Sequence, residues 1–227
     1  EAAVRVKKAG FDMVELHGGT GYLLSSFVSP RTNKRDDEYG GSLENRQRFP
    51  VEVVREVKSS VGDFPVGYRF LADEWLPDGL KVSESVLYAK ALAAAGVAYI
   101  SVMGGTYESF FLPDVLQASR KDGYMVDLAT AVKKAVAVPV IAAGRISTGA
   151  FAESVLAEGK ADLIGLARVL WGDPQWPSKV KEGKENEIIH CASECDDPCT
   201  KLVTKGKLAF CVRWNHAKLE EWKAKKS

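Results

Sequence analysis

The sequence predicts an α/β fold, a partial (β/α)8 barrel followed by a cysteine-containing tail. Three observations predict it. Short apolar runs alternate strictly with helical patterns, the runs are nearly continuous as in a parallel sheet covered on both faces, and glycines and polar residues recur just after them. In order, the pattern gives a helix over 1–9, a strand over 12–17, a helix over about 43–61 and a strand over 65–71. It continues with a helix over about 84–95, a strand over 98–103, a helix over about 127–137, a strand over 139–143, a helix over about 149–159 and a strand over 162–167.

Each helix rests on spacing and punctuation. Phe49, Val53, Val57 and Val61 recur every fourth residue, and Leu128, Val132 and Ala135 share one face. Gly62, Gly96 and Gly159 stand where helices should stop; Ser42, Ser83, Asp127 and Thr148 stand near where they should start. The strands "PVGYRFL", "AYISVM", "PVIAA" and "DLIGLA" are mostly apolar throughout. Five such units in 227 residues, against roughly 250 residues for eight, leave room for about three further strands before Glu1. The opening "EAAVRVKKAGFD" has no initiating Met and no cap signal, so the chain is expected to be a piece of a longer one. A doubly wound sheet would call for Gly-x-Gly-x-x-Gly straight after a strand, and "GGTGYL" lacks that spacing.

Composition narrows the class of partner. With 31 Lys+Arg against 30 Asp+Glu the net charge is +1, so no field points to nucleic acid or an anionic membrane. Small molecules are the expected partners. No apolar run approaches the roughly 18 residues of a membrane span, and no leader opens the chain; a soluble, cytoplasmic protein is expected.

In either parallel architecture ligands bind at the carboxyl ends of the strands. There the sequence places His17, Thr20 and Tyr22 after the first strand, Arg69 in the second, "GGTY" with Tyr107 after the third, "AGRI" after the fourth and "LARV" after the fifth. Gly144 would let backbone approach a ligand closely, and Arg168 could fork two hydrogen bonds onto a phosphate; Arg145 could face the ligand or solvent. Arg69 lies within an apolar strand, where a charge needs a partner: an ion pair with Glu15 or Asp73, or an electron-rich cofactor edge. The plain reading of His17 and Tyr22 is a hydrogen-bonded core histidine and a packed aromatic.

The stretch "AGFDMVELHGGTGYLLSSFVSPRTNKRDDEYGGSLENRQRF" resembles the Old Yellow Enzyme family of FMN-dependent ene-reductases, with "NKRDDEYGGSLENR" the most specific part. "AAGRI" and "ADLIGLARVLWGDPQWPSK" resemble its phosphate-binding end, and the 2,4-dienoyl-CoA reductase and enoate reductase branch is the most similar. The resemblance implies a barrel entered before its fourth strand, so that strands 4 to 8 lie within residues 1–184, with residues 185–227 as a Cys-rich tail. It implies FMN, NAD(P)H as electron donor, and reduction of an activated C=C bond by hydride from flavin N5 and a proton from Tyr22. His17 would bind the substrate carbonyl; Thr20 stands where the family commonly has His or Asn, a departure suggesting a smaller or differently polar acceptor. Arg69 would meet the flavin pyrimidine edge, and Gly144, Arg145, Ala167 and Arg168 its phosphate, Ala167 standing where other branches have Gly. Gly18, Gly19 and Gly21 would keep backbone clear of the ring, and Tyr107 would contact substrate.

All four cysteines, Cys191, Cys195, Cys199 and Cys211, lie in the last quarter of the chain. In a cytosolic setting clustered thiols suggest a metal site more than disulfides, and zinc or unligated thiols are the alternatives to an iron–sulfur site. The family branch implies a [4Fe-4S] cluster that relays electrons from a donor domain or protein, although three residues rather than two separate the first pair here. A homo-oligomer is a further expectation. Two other readings compete: a phosphate-binding aldolase or isomerase, which would need a Schiff-base lysine or acid/base carboxylate at a strand end, and a non-catalytic iron–sulfur scaffold.

Overall fold

The structure, a computed structural model, describes residues 1–191, 195 and 198–224. Its elements run α1 (Ala2–Lys8), β1 (Val14–Gly18), α2 (Leu23–Val28), α3 (Leu43–Val61), β2 (Val66–Asp73), α4 (Val82–Ala94), β3 (Tyr99–Gly104) and α5 (Pro113–Ala118). They continue α6 (Val126–Ala135), β4 (Val140–Ala142), α7 (Gly149–Ala157), β5 (Leu163–Ile164), α8 (Arg168–Gly172), α9 (Trp176–Lys181), α10 (Pro198–Thr204) and α11 (His216–Ala224). Two compact units divide the chain: Glu1–Gly144 with Ser154–Gly165, and Arg145–Glu153 with Leu166–Ser227.

The first unit holds the whole sheet. All five strands are parallel and each pairs with the next in chain order. A doubly wound sheet reverses its order at a switch point, whereas this one never does, so it is an arc of a (β/α)8 barrel. Alternation along the strands separates two faces. Val14, Leu16 and Val66 pack with Ala3, Val61 and Phe64 on the helix side. The opposite face carries one row of Glu15, Gly67 and Tyr99, then a row of His17, Arg69, Ser101, Ile141 and Leu163. A Cβ on Gly67 would stand 2.1 Å from Tyr99 Cζ, so the Tyr99 ring occupies that space. Burial, and then the nearby Glu15 carboxylate, push the Tyr99 phenol up to about 12.

Helix ends follow the expected chemistry with two exceptions. Ser42 Oγ accepts from Asn45 N at 3.2 Å and starts α3, which ends at Gly62 with φ 61°. Gly96 and Gly159 likewise take positive φ, and Thr148 Oγ1 accepts from Phe151 N at 3.2 Å before α7. Ser83, however, lies inside the first turn of α4 rather than capping it. The orphan amide of Val82 is instead met by the Asp73 carboxylate at 3.4 Å, a cap delivered from the end of β2. Asp127 also falls in the first turn of α6, whose cap position is Met125. The last strand is shorter than the expected 162–167, because β4 offers it only three residues and Leu166 onward belongs to the second unit.

The segment 27–46 is a routed loop held by two side chains. Asn33 Nδ2 donates to Phe27 O at 2.6 Å and Tyr39 O at 2.7 Å. Arg46 is 4% exposed and donates to Val28 O, to Gly41 O at 3.1 Å and to Glu84 at 2.6 Å, which satisfies a charge that would be costly to bury alone.

The second unit packs around Val169, Trp176 and Ile188, with Leu166, Leu170 and Val180 against them. Its polar hub is Asp173, 4% exposed, which accepts from Lys179 Nζ at 2.6 Å, Gln175 N at 3.0 Å and Ile189 N at 3.1 Å. Among the described residues, no helix is long and apolar enough to cross a membrane.

Candidate active site

The site is built at the carboxyl ends of β1, β2 and β3. His17, next to last in β1, is exposed, and its ring lies 5.1 Å from that of Tyr22. Tyr22 occupies the cap position of α2, where Ser25 Oγ donates to Tyr22 O at 2.8 Å and Gly19 O at 3.1 Å and fixes the turn between them. At 48% exposure Tyr22 is no packed aromatic. Its hydroxyl is 2.7 Å from that of Tyr107, and the two rings meet edge to face at 5.7 Å. The Tyr107 phenol is raised, first by its hydrogen bond with Tyr22 and then by burial.

The turn "GGTG" is shaped by what lies beneath it. A Cβ on Gly18 would fall 2.1 Å from the Tyr68 hydroxyl, and one on Gly19 2.5 Å from Met103 Sδ. Tyr68 is wholly buried and hydrogen-bonded to Tyr88 at 2.6 Å. Protein atoms therefore fill the space that a side chain at Gly18 or Gly19 would need. Gly21 is there for its φ of 87°.

Thr20 has φ 61°, the left-handed region, which a β-branched side chain disfavours. Its backbone bridges to Thr106 and its Oγ1 donates to Met103 Sδ at 3.5 Å. The bridge is one of the ties between the turn after β1 and the loop after β3.

Arg69 sits beside His17 in register and is half-buried. Neither Glu15 nor Asp73 is its hydrogen-bond partner. Its Nη1 donates to Ser101 Oγ at 2.9 Å, while Asp73 accepts from the amides of Trp75 and Val82 and lies 3.8 Å from Lys81. The bond to Ser101 is the guanidinium's one hydrogen bond among the described residues, leaving the rest of its fork for a ligand on the inner face. None of the residues of β1 to β5 is a lysine.

Gly144, at the end of the first unit, is buried with φ 112°, and a Cβ there would meet Met125 N at 2.8 Å. In the second unit Arg168 opens α8 after Ala167, as expected of the short helical turn. Arg168 and Arg145 both act on the Cys191 thiol: burial raises it, and the two guanidinium groups pull it back. Cys195 and Cys199 also raise Cys191, so three thiols are within electrostatic reach. All four cysteines are free, and among the described residues no group of three or more His, Cys, Asp or Glu side chains is gathered to hold a metal.

Sequence reading named the residues of the first three strand ends but not how they pair. Ser101 and Met103 were missed; both point to the inner face of β3 by alternation, which was the available signal.

An exposed imidazole, paired phenols and a guanidinium thus gather at the trailing ends of consecutive parallel strands, the face on which parallel barrels bind their ligands. The chain belongs to the NADH:flavin oxidoreductase / NADH oxidase family, which it matches over residues 1–187. It is 49% identical over 201 residues to an NADH oxidase of Thermoanaerobacter brockii, covering 88% of this chain and 30% of the relative. It is 39% identical over 217 residues to a cinnamate reductase of Clostridium sporogenes, covering 88% and 32%. A 2-naphthoyl-CoA reductase solved with 2-naphthoyl-CoA superposes with a TM-score of 0.86 at 33% identity, over 92% of this chain and 32% of that one. The chain thus spans about a third of the length of these relatives.

Proposed function

We propose that this chain supplies the substrate face and part of the flavin site of an FMN-dependent oxidoreductase that reduces activated C=C bonds in enones, enoates or enoyl thioesters. The observation that carries the reading is the Tyr22–Tyr107 phenol pair beside exposed His17 and half-buried Arg69. Bound FMN would supply the electron pair, drawn from NAD(P)H directly or through a separate donor domain or protein. His17 donates a hydrogen bond to the substrate carbonyl and draws charge out of the alkene. Tyr22 gives its proton to the carbon next to that carbonyl, and Tyr107, open to solvent, replaces it. Thr20 contributes less to carbonyl binding than a His or Asn would, since its hydroxyl is engaged by Met103.

Arg69 fits the flavin because its charge is permanent and most of its donors are uncommitted. For the phosphate the proposal rests on the sequence resemblance of Gly144, Arg145, Ala167 and Arg168, supported by the two arginines that act on Cys191. A [4Fe-4S] cluster on Cys191, Cys195, Cys199 and Cys211 is the finer proposal for the tail, supported by four free thiols. As described, the thiols do not surround a common point, and no step depends on the cluster.

The full-length protein should purify with flavin absorption bands and reduce cyclohexenone or cinnamate anaerobically with NAD(P)H. A colourless protein without that activity would remove the reading. Iron and acid-labile sulfide in equal amounts would support the cluster, and zinc or neither would remove it.

A further inference from the structure

We propose that Arg31 is a positioning residue for this site: by clamping Glu108 and Asp78 it holds the loop after β3 so that the Tyr107 hydroxyl meets Tyr22. The inference rests on the functional reading above and adds to it the part that sets the phenol pair.

Arg31 follows α2, in the loop that leads on to α3. Its Nε donates to Glu108 Oε2 at 3.2 Å, its Nη2 to Glu108 Oε1 at 2.6 Å and its Nη1 to Asp78 Oδ1 at 2.5 Å. Two parallel bonds from one fork fix the carboxylate in orientation as well as distance. Glu108 is the next residue after Tyr107, so what fixes its side chain fixes the backbone that carries the phenol. Asp78 belongs to the loop after β2, and the one guanidinium therefore joins the loops that follow three successive strands.

The rest of the β3 loop is pinned on either side of this tip. Thr106 bridges to Thr20, and Thr106 N donates to Ser109 Oγ at 2.8 Å. Tyr107 itself is 55% exposed, and its ring meets those of Phe110 and Tyr22 edge to face. The side chains of Asp78 and Glu108 are 57% and 58% exposed, so the cluster contributes little to overall stability. Holding one turn in place asks much less of it. Without Arg31 the Glu108 and Asp78 carboxylates lose the guanidinium that links their loops.

The test uses the flavin-loaded full-length enzyme and its Arg31→Gln, Glu108→Gln and doubly substituted forms. Flavin reduction by NAD(P)H and reoxidation by cyclohexenone are followed separately at low and high salt, and the Tyr107 phenol is titrated by ultraviolet difference against Tyr107→Phe. Each single substitution should slow the alkene step about two- to fivefold at low salt and leave flavin reduction unchanged. The double form should be no slower than either single one, and high salt should bring the parent down toward the variants. The Tyr107 phenol, raised in the parent by Tyr22, should fall toward an ordinary tyrosine in Arg31→Gln. An unchanged alkene step with an unmoved phenol would overturn the proposal, as would equal slowing of both half-reactions. If the parent does not reduce alkenes, the functional reading fails, and the titration alone decides the clamp: a moved phenol keeps it, an unmoved one sinks it.

Discussion

The hydroxyls of Tyr22 and Tyr107, 85 residues apart in the chain, lie 2.7 Å from each other, close enough for one to donate its proton to the other. Tyr22→Phe should therefore slow alkene reduction by about a hundredfold while flavin reduction by NAD(P)H stays nearly unchanged. Tyr107→Phe keeps the ring contact and loses the oxygen, so a loss of about fivefold in the same step is expected. Single-turnover measurements of each half-reaction check both; equal losses in the two half-reactions would take the proton-donor role from Tyr22.

Arg69 spends one donor on Ser101 and keeps the rest. Arg69→Met, which retains length and loses the charge, should weaken FMN retention by about one to two orders of magnitude. Ser101→Ala should leave retention within about threefold, because it removes only the neutral partner. Equilibrium dialysis of flavin against the apoprotein measures this, and unchanged retention in Arg69→Met would remove the arginine from the flavin site.

Thr20 holds a backbone conformation that costs a branched side chain about 1 kcal/mol and that Asn adopts more readily. Thr20→Asn should raise the melting temperature, and should tighten binding of a carbonyl substrate by restoring an amide donor. A lower melting temperature would mean that the Oγ1 bond to Met103 outweighs the relief of strain.

Burial pushes the Asp173 carboxyl up, but Lys179 and the amides of Ile189 and Gln175 outweigh it and hold the group below the usual carboxylate range. Its folded-state value is thus the lower one. The stabilisation is complete above the unfolded value, near 4, and is lost as pH falls through the folded value. Asp173→Asn should cost about 2 kcal/mol at neutral pH and flatten the acid limb of unfolding followed by tryptophan fluorescence. An acid limb parallel to the parent's would overturn this.

Much of the fold was legible because periodicity and helix punctuation are local. Gly62, Gly96 and Gly159 mark their helix ends in sequence and in structure. Ser83 misled because the competing cap, Asp73, comes from a strand ten residues upstream. In the site, His17 and Tyr22 are named by a motif, whereas the partners Tyr107, Ser101 and Met103 depend on strand register. Register is fixed by the packing of whole strands, and no stretch of a few residues states it. The short helices α2 and α5, six residues each, lie below the length at which apolar spacing can be recognised.

The most diagnostic stretch of the sequence ends at Arg46, whose guanidinium ties together Val28, Gly41 and Glu84. Three acceptors in three directions suit a planar fork and not the single ammonium of lysine. Arg46 therefore serves chain routing in this stretch. A descendant could lose Tyr22 while keeping Arg46 and its three bonds intact, so kinship judged by this segment reports shared architecture and leaves activity to be established from the strand ends.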